Sequence, residues 1–162
     1  MVSEKINIFK TKLPKNVVLV AVSKTKPTEM ILEACSKGHL DFGENKVQEL
    51  VYKQEILPKN IRWHMIGHLQ RNKVKYIAPF VYLIHGVDSL RLLNEIDKQG
   101  KKIDKKINCL LQIHISKEEN KFGFEIQEIN DFIKNKQNEL WSHVNIKGLM
   151  GMATFTENKN LV

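Results

Sequence analysis

The chain has 162 residues, 42% of them hydrophobic and 27% charged, which suits one domain with its own hydrophobic core and argues against disorder. Its formal net charge is +8, but the lysines are scattered, and the one dense stretch at 98–106 has no interleaved aromatics. This predicts solvated helix faces rather than a nucleic-acid surface, which needs clustered cations. No segment reaches the ~18 apolar residues of a membrane span.

Residues 1–16 form a leading segment of alternating charged and short apolar pieces, without the continuous apolar stretch of a signal peptide. Residues 17–23 (VVLVAVS) have a buried-strand pattern ending at Lys24. Pro27 and Thr28 open a helix that ends near Gly38. A short strand is expected at 40–45 (LDFGEN), then a helix from Val47 to Pro58. The third strand is placed at 62–67 (RWHMIG) and the third helix at 70–78, closed by Pro79. Residues 81–88 form the fourth strand, and Ser89 is positioned to cap a helix over 90–98. A fifth strand covers 107–115, a polar loop 116–124, a helix 125–136, and a sixth strand lies within 144–155. Cys35 and Cys109 sit far apart in apolar surroundings, which fits a reducing cytoplasm better than a disulfide framework.

Continuous apolar strands alternating with amphipathic helices mean a parallel sheet covered by helices. A doubly wound open sheet and a (β/α)8 barrel both satisfy that pattern. The turn after the first strand lacks the glycines of a dinucleotide-binding fold. A complete barrel needs roughly 200 residues or more, so periodicity leaves the two architectures open.

Lys24 is the main candidate for chemistry. Val18, Val20 and Val22 share its side of the strand, and parallel α/β proteins place ligands at the strand's C-terminal edge. Desolvation there, with Lys26 nearby, favours the neutral amine that attacks aldehydes; the plain alternative is a lysine leaving the strand for solvent. Glu44 and Asn45 end the second strand at the same edge, and Asn45 would also serve as a helix cap. His64 and His68 lack neighbouring carboxylates or cysteines, so no metal site is assigned. His64 is otherwise a core or mouth histidine, Met150 and Met152 are core fillers, and Cys109 is inert in mid-strand. No Ser-His-Asp set, paired carboxylates or Walker loop is visible, and no catalytic residue is assigned.

Five motifs then fall in one order: VAVSKTKP at 20–27, FGENKVQE at 42–49, WHMIGHLQ at 63–70 with Asn72-Lys73, ENKFG at 119–123 and GLMGM at 148–152. Together they resemble the pyridoxal phosphate homeostasis proteins, single-domain relatives of the alanine racemase N-terminal barrel. The resemblance implies a TIM-type (β/α)8 barrel, of which about six units fall within these 162 residues, in a cytoplasmic protein. It implies pyridoxal 5'-phosphate held as a Schiff base on Lys24, with Asn45 and His64 as further cofactor-binding residues. It further implies a role in buffering and delivering the cofactor, with receiving apo-enzymes as partners and neither membrane nor nucleic acid involved. No catalytic activity is expected; a racemase-like enzyme and a basic nucleic-acid-binding module are the alternatives. Lys46 and His114 depart from the family's usual residues. The family's later motifs lie past Val162, so a C-terminally truncated barrel lacking most of its phosphate cup is expected.

Overall fold

Helix and strand alternate through the computed structural model, which describes residues 2–115, 122–135 and 140–152. The order begins with α1 (Val2–Lys12), β1 (Ala21–Val22), α2 (Thr28–Ser36), β2 (Asp41–Glu44), α3 (Val47–Ile56) and β3 (Arg62–Met65). A 3-10 turn (Arg71–Lys73) leads into α4 (Val74–Ile77) and β4 (Leu83–Val87). There follow α5 (Leu90–Lys102), β5 (Ile107–Ile113), α6 (Ile126–Lys134) and β6 (Val144–Gly151).

Every strand pairing is parallel, and the six strands stand side by side in chain order. That order decides between the two architectures. A doubly wound sheet reverses at a switch point and would break it, whereas a barrel wall adds each strand beside the last. The sheet is part of a (β/α) barrel, with β1 and β6 as its edge strands.

The wall has two chemically different faces because side chains alternate along a strand. Phe42, Trp63, Met65, Ile84, Cys109 and Leu111 point outward and are buried in a core shared with Ile31, Leu50, Leu92, Leu93 and Ile96 of the helices. Each such side chain stabilises the fold by roughly 1.5–3 kcal/mol through removal from water. The residues between them, including Asp41, His64 and His85, line the inner face.

Three elements differ from the expectation. The leading segment contains a helix, α1, which packs on α2 through buried Ile6 and through Ser3, whose N–H and Oγ donate to Glu33 Oε1 at 3.2 and 2.9 Å. The first strand is only Ala21–Val22, the two residues that pair with Phe42 and Gly43 of β2. α5 continues past residue 98 to Lys102, through Gly100. A Cβ there would come within 2.7 Å of the Lys105 carbonyl and 2.9 Å of His143, so glycine lets this turn lie flat against its neighbours. At the other end of α5, Ser89 Oγ accepts from the Leu92 N–H at 3.3 Å, as expected of an N-cap. The 116–121 loop, Lys136 and residues 153–155 lie outside the described residues.

Candidate functional site

Parallel strands bring their C-terminal ends to one rim, where the following loops can build a site. Lys24 lies two residues past β1, and Asn45 directly follows β2. Val22 pairs with Gly43, and Gly43 with His64. In this register Lys24 and Asn45 share the rim level, and His64 lies one layer below on the same inner face.

Lys24 is exposed and has no hydrogen bond or ion pair among the described residues. Among the described residues on its side of the strand, Val18 and Val22 are 63% and 51% exposed, and Val20 is half-buried. The turn carrying Lys24 is tightly held instead. Ser23 N–H donates to the Gly43 carbonyl and Lys26 N–H to the Ser23 carbonyl, both at 3.0 Å.

Asn45 is half-buried and does not cap α3; Lys46 occupies that position without a side-chain cap bond. The Asn45 amide therefore stays free of hydrogen bonds among the described residues. The loop after β3 lies directly on it, since a Cβ on Gly67 would strike the Asn45 backbone. Only glycine permits that approach.

His64 is buried, 2% exposed, with both ring nitrogens engaged. A carboxylate only accepts, so His64 Nε2–H donates to Asp41 Oδ1 at 3.1 Å, and its Nδ1 accepts from His85 Nε2–H at 2.9 Å. Arg62 forks onto the same carboxylate, with Nε 2.7 Å from Asp41 Oδ1. Burial lowers the His64 pKa despite the attraction of Asp41, and burial together with His64 pushes His85 down to about 4. Burial pushes Asp41 up, but the bonds from Arg62 and His64 outweigh it and hold the carboxyl below its ordinary value. These groups share an inner cavity of about 450 Å³ with Val20, Tyr82, Asn108 and Lys147.

His68 turns elsewhere: it bonds Asp88 at 3.0 Å and stacks on Phe122 at 4.3 Å. Among the described residues, no group of three His, Cys, Asp or Glu side chains could hold a metal. Met152 is 51% exposed, contrary to the core role expected for it. Of the 119–123 motif, only Phe122 and Gly123 are described.

On the outer face, behind Lys24, lies a network that the sequence reading missed. Lys53 Nζ donates to the Ser23 carbonyl at 2.7 Å, to Glu44 Oε1 at 2.8 Å and to Glu49 Oε1 at 2.7 Å. Ser23 Oγ donates to Glu44 Oε1 and Thr25 N–H to Glu49 Oε1, each at 2.6 Å. Burial raises the Glu49 carboxyl, but the bonds from Lys53 and Thr25 outweigh it and lower its pKa. The one signal available in the sequence was the four-residue spacing of Glu49 and Lys53 on a single helix.

The pattern of the alanine racemase N-terminal domain matches residues 2–160. The pyridoxal phosphate homeostasis protein of Pasteurella multocida is 39% identical over 155 residues, 93% of this chain. The chain spans 66% of that protein's length, and 61% and 52% of the proteins of that name from Schizosaccharomyces pombe and Escherichia coli. For the Synechocystis protein of the same name, identity is 37% and the coverage 92% of this chain and 73% of that protein. PipY of Synechococcus elongatus, solved without pyridoxal phosphate, superposes with a TM-score of 0.88 at 33% identity, over 96% of this chain and 73% of its own. With pyridoxal phosphate bound, PipY superposes with a TM-score of 0.87 at 30% identity, over 98% of this chain and 73% of its own. The chain belongs to the alanine racemase N-terminal domain family and, within it, to the pyridoxal phosphate homeostasis proteins.

Proposed function

We propose that this chain holds pyridoxal 5'-phosphate covalently at Lys24 and serves its homeostasis in the cytoplasm, buffering the cofactor and delivering it to apo-enzymes. The observation that carries the reading is an exposed amine, without a partner among the described residues, at the rim of a barrel whose relatives are named for this cofactor. The structure of PipY with pyridoxal phosphate bound supports it.

The residues present fit the group. Lys24 offers an amine and Asn45 an amide at the same level, each without a hydrogen bond among the described residues. His64 backs them from the layer below, bonded to Asp41 and His85. When bound, the cofactor supplies an aldehyde carbon; the Lys24 nitrogen forms a C=N bond to it, and the carbonyl oxygen leaves as water with the two amine hydrogens.

We read the protein as a carrier rather than an enzyme. A racemase needs an acid–base group on each face of the cofactor. His64, one layer below Lys24 on the inner face, has both nitrogens committed. The free cysteines, one of them buried, fit a reducing compartment. Among the described residues, no helix is long and apolar enough to cross a membrane.

The test is an absorbance titration of the wild-type chain and Lys24→Ala with pyridoxal phosphate, repeated with pyridoxal to measure the phosphate's share. A visible band that Lys24→Ala abolishes is expected. An equal band in Lys24→Ala would overturn the anchor. Amino-acid turnover that depends on Lys24 would overturn the carrier reading.

A further inference from the structure

We infer that Lys53, Glu44 and Glu49 act as a positioning clamp on the turn that carries Lys24 and thereby set the reactivity of its amine. The ligand named in the test rests on the proposed function; the clamp itself does not.

Thr25 adopts φ +62°, a left-handed conformation that a β-branched residue adopts only when its surroundings impose it. The Thr25 N–H donates to Glu49 Oε1 at 2.6 Å. On the other side of Lys24, the Ser23 carbonyl accepts from Lys53 Nζ at 2.7 Å. Both backbone groups flanking Lys24 are therefore gripped by side chains of α3. Glu44 completes the grip by accepting from Ser23 Oγ and from Lys53.

The network is expensive to bury. Lys53 is 3% exposed and Glu44 0%, and removing paired charges from water gains little net stability. One oxygen, Glu44 Oε2, is buried without a hydrogen-bond partner among the described residues. A hydrophobic pair of similar volume would tie α3 to the sheet at least as well. What such a pair could not do is hold one carbonyl and one N–H in fixed directions on either side of a single residue. The three ionic groups lie behind the turn, whereas Lys24 itself is exposed and bonded to none of them. The clamp therefore acts through backbone geometry, and Lys24 keeps an open approach at the rim.

The test uses the full chain as Glu49→Gln, Thr25→Gly and the double variant. Three quantities are read: hydrogen exchange of the Thr25 amide, labelling of Lys24 by a small amine-reactive ester with Lys5 as reference, and adduct formation with pyridoxal phosphate. Glu49→Gln should lower protection of the Thr25 amide about tenfold, the factor for losing one charge-assisted hydrogen bond. It should shift Lys24 labelling relative to Lys5 and weaken the adduct by a similar factor, while circular dichroism stays native. Glycine adopts positive φ at no steric cost, so Thr25→Gly in the Glu49→Gln background should bring Lys24 back to within about threefold of wild type.

A merely structural tie would change the melting temperature and leave folded Lys24 unaltered. Unchanged Thr25 protection, unchanged Lys24 labelling, or a failed glycine rescue would each overturn the clamp. A wild-type chain that shows the labelling effect but forms no pyridoxal phosphate adduct would refute the ligand and leave the clamp standing.

Discussion

Lowering the pH through the histidine range should destabilise this protein, and His85 dominates the effect. His85 is half-buried on the inner face, its Nε2–H donated to His64, and burial with His64 lowers its pKa from 6.5 to about 4. Its folded-state pKa is thus below that of the unfolded chain. The associated stability is fully present above about pH 6.5 and is lost as pH falls toward 4, because only the unfolded chain takes up the proton in that window. Between pH 7 and pH 5 the loss works out at about 2 kcal/mol, rising to about 3 kcal/mol below pH 4. His64 and His39 are also lowered by burial and act in the same direction. The assay is urea unfolding at pH 7 and pH 5 for wild type and His85→Gln, in which the glutamine amide can still donate to His64. Wild type should lose about 2 kcal/mol more than the variant over that interval. An equal loss in both proteins would refute the buried, neutral His64–His85 pair.

Three further outcomes can be checked by simple measurements. Ser89→Ala removes the acceptor for the Leu92 N–H and should cost about 1 kcal/mol in urea unfolding; no change would mean that solvent caps α5 equally well. Gly100→Ala places a methyl against the Lys105 carbonyl and His143 and should destabilise by about 1–3 kcal/mol, although alanine is the better helix former. A stabilised Gly100→Ala protein would show that this end of α5 can move aside. Burial raises the thiol of Cys109 to about 12 and raises that of half-buried Cys35 as well. A thiol-disulfide reagent should therefore label Cys35 slowly and Cys109 only in denaturant, and mass spectrometry distinguishes the two sites.

Much of the fold can be read locally, because strand and helix leave separate periods in the sequence. The strands at Arg62–Met65 and Ile107–Ile113 and the Ser89 cap are of this kind. Neighbour order in the sheet is not local. Both barrel and doubly wound crossovers join the same alternating segments, so chain order appeared only once β1 through β6 were paired. α1 was hidden for a related reason: it buries only Ser3 and Ile6, and the partner of Ser3 is Glu33, thirty residues away.

The candidate site divides along the same line. Lys24 and Asn45 are conspicuous because each follows an apolar strand pattern in the sequence. Arg62 and His85 have no such signature, and their roles come from cross-strand neighbours, Asp41 paired with Arg62 and His64 bonded to His85. Lys53 shows only its four-residue spacing from Glu49 in the sequence, and its role comes from α3 folding back over Ser23. The two networks together explain the placement of the rim. The Asp41–Arg62–His64–His85 chain ties β2, β3 and β4 together across the inner face. The Lys53–Glu44–Glu49 cluster fixes the outer face of the turn beside it. A lysine exposed to solvent, yet carried on a backbone gripped by α3 on either side of it, meets two demands that normally conflict: free access for a ligand and a defined direction of approach.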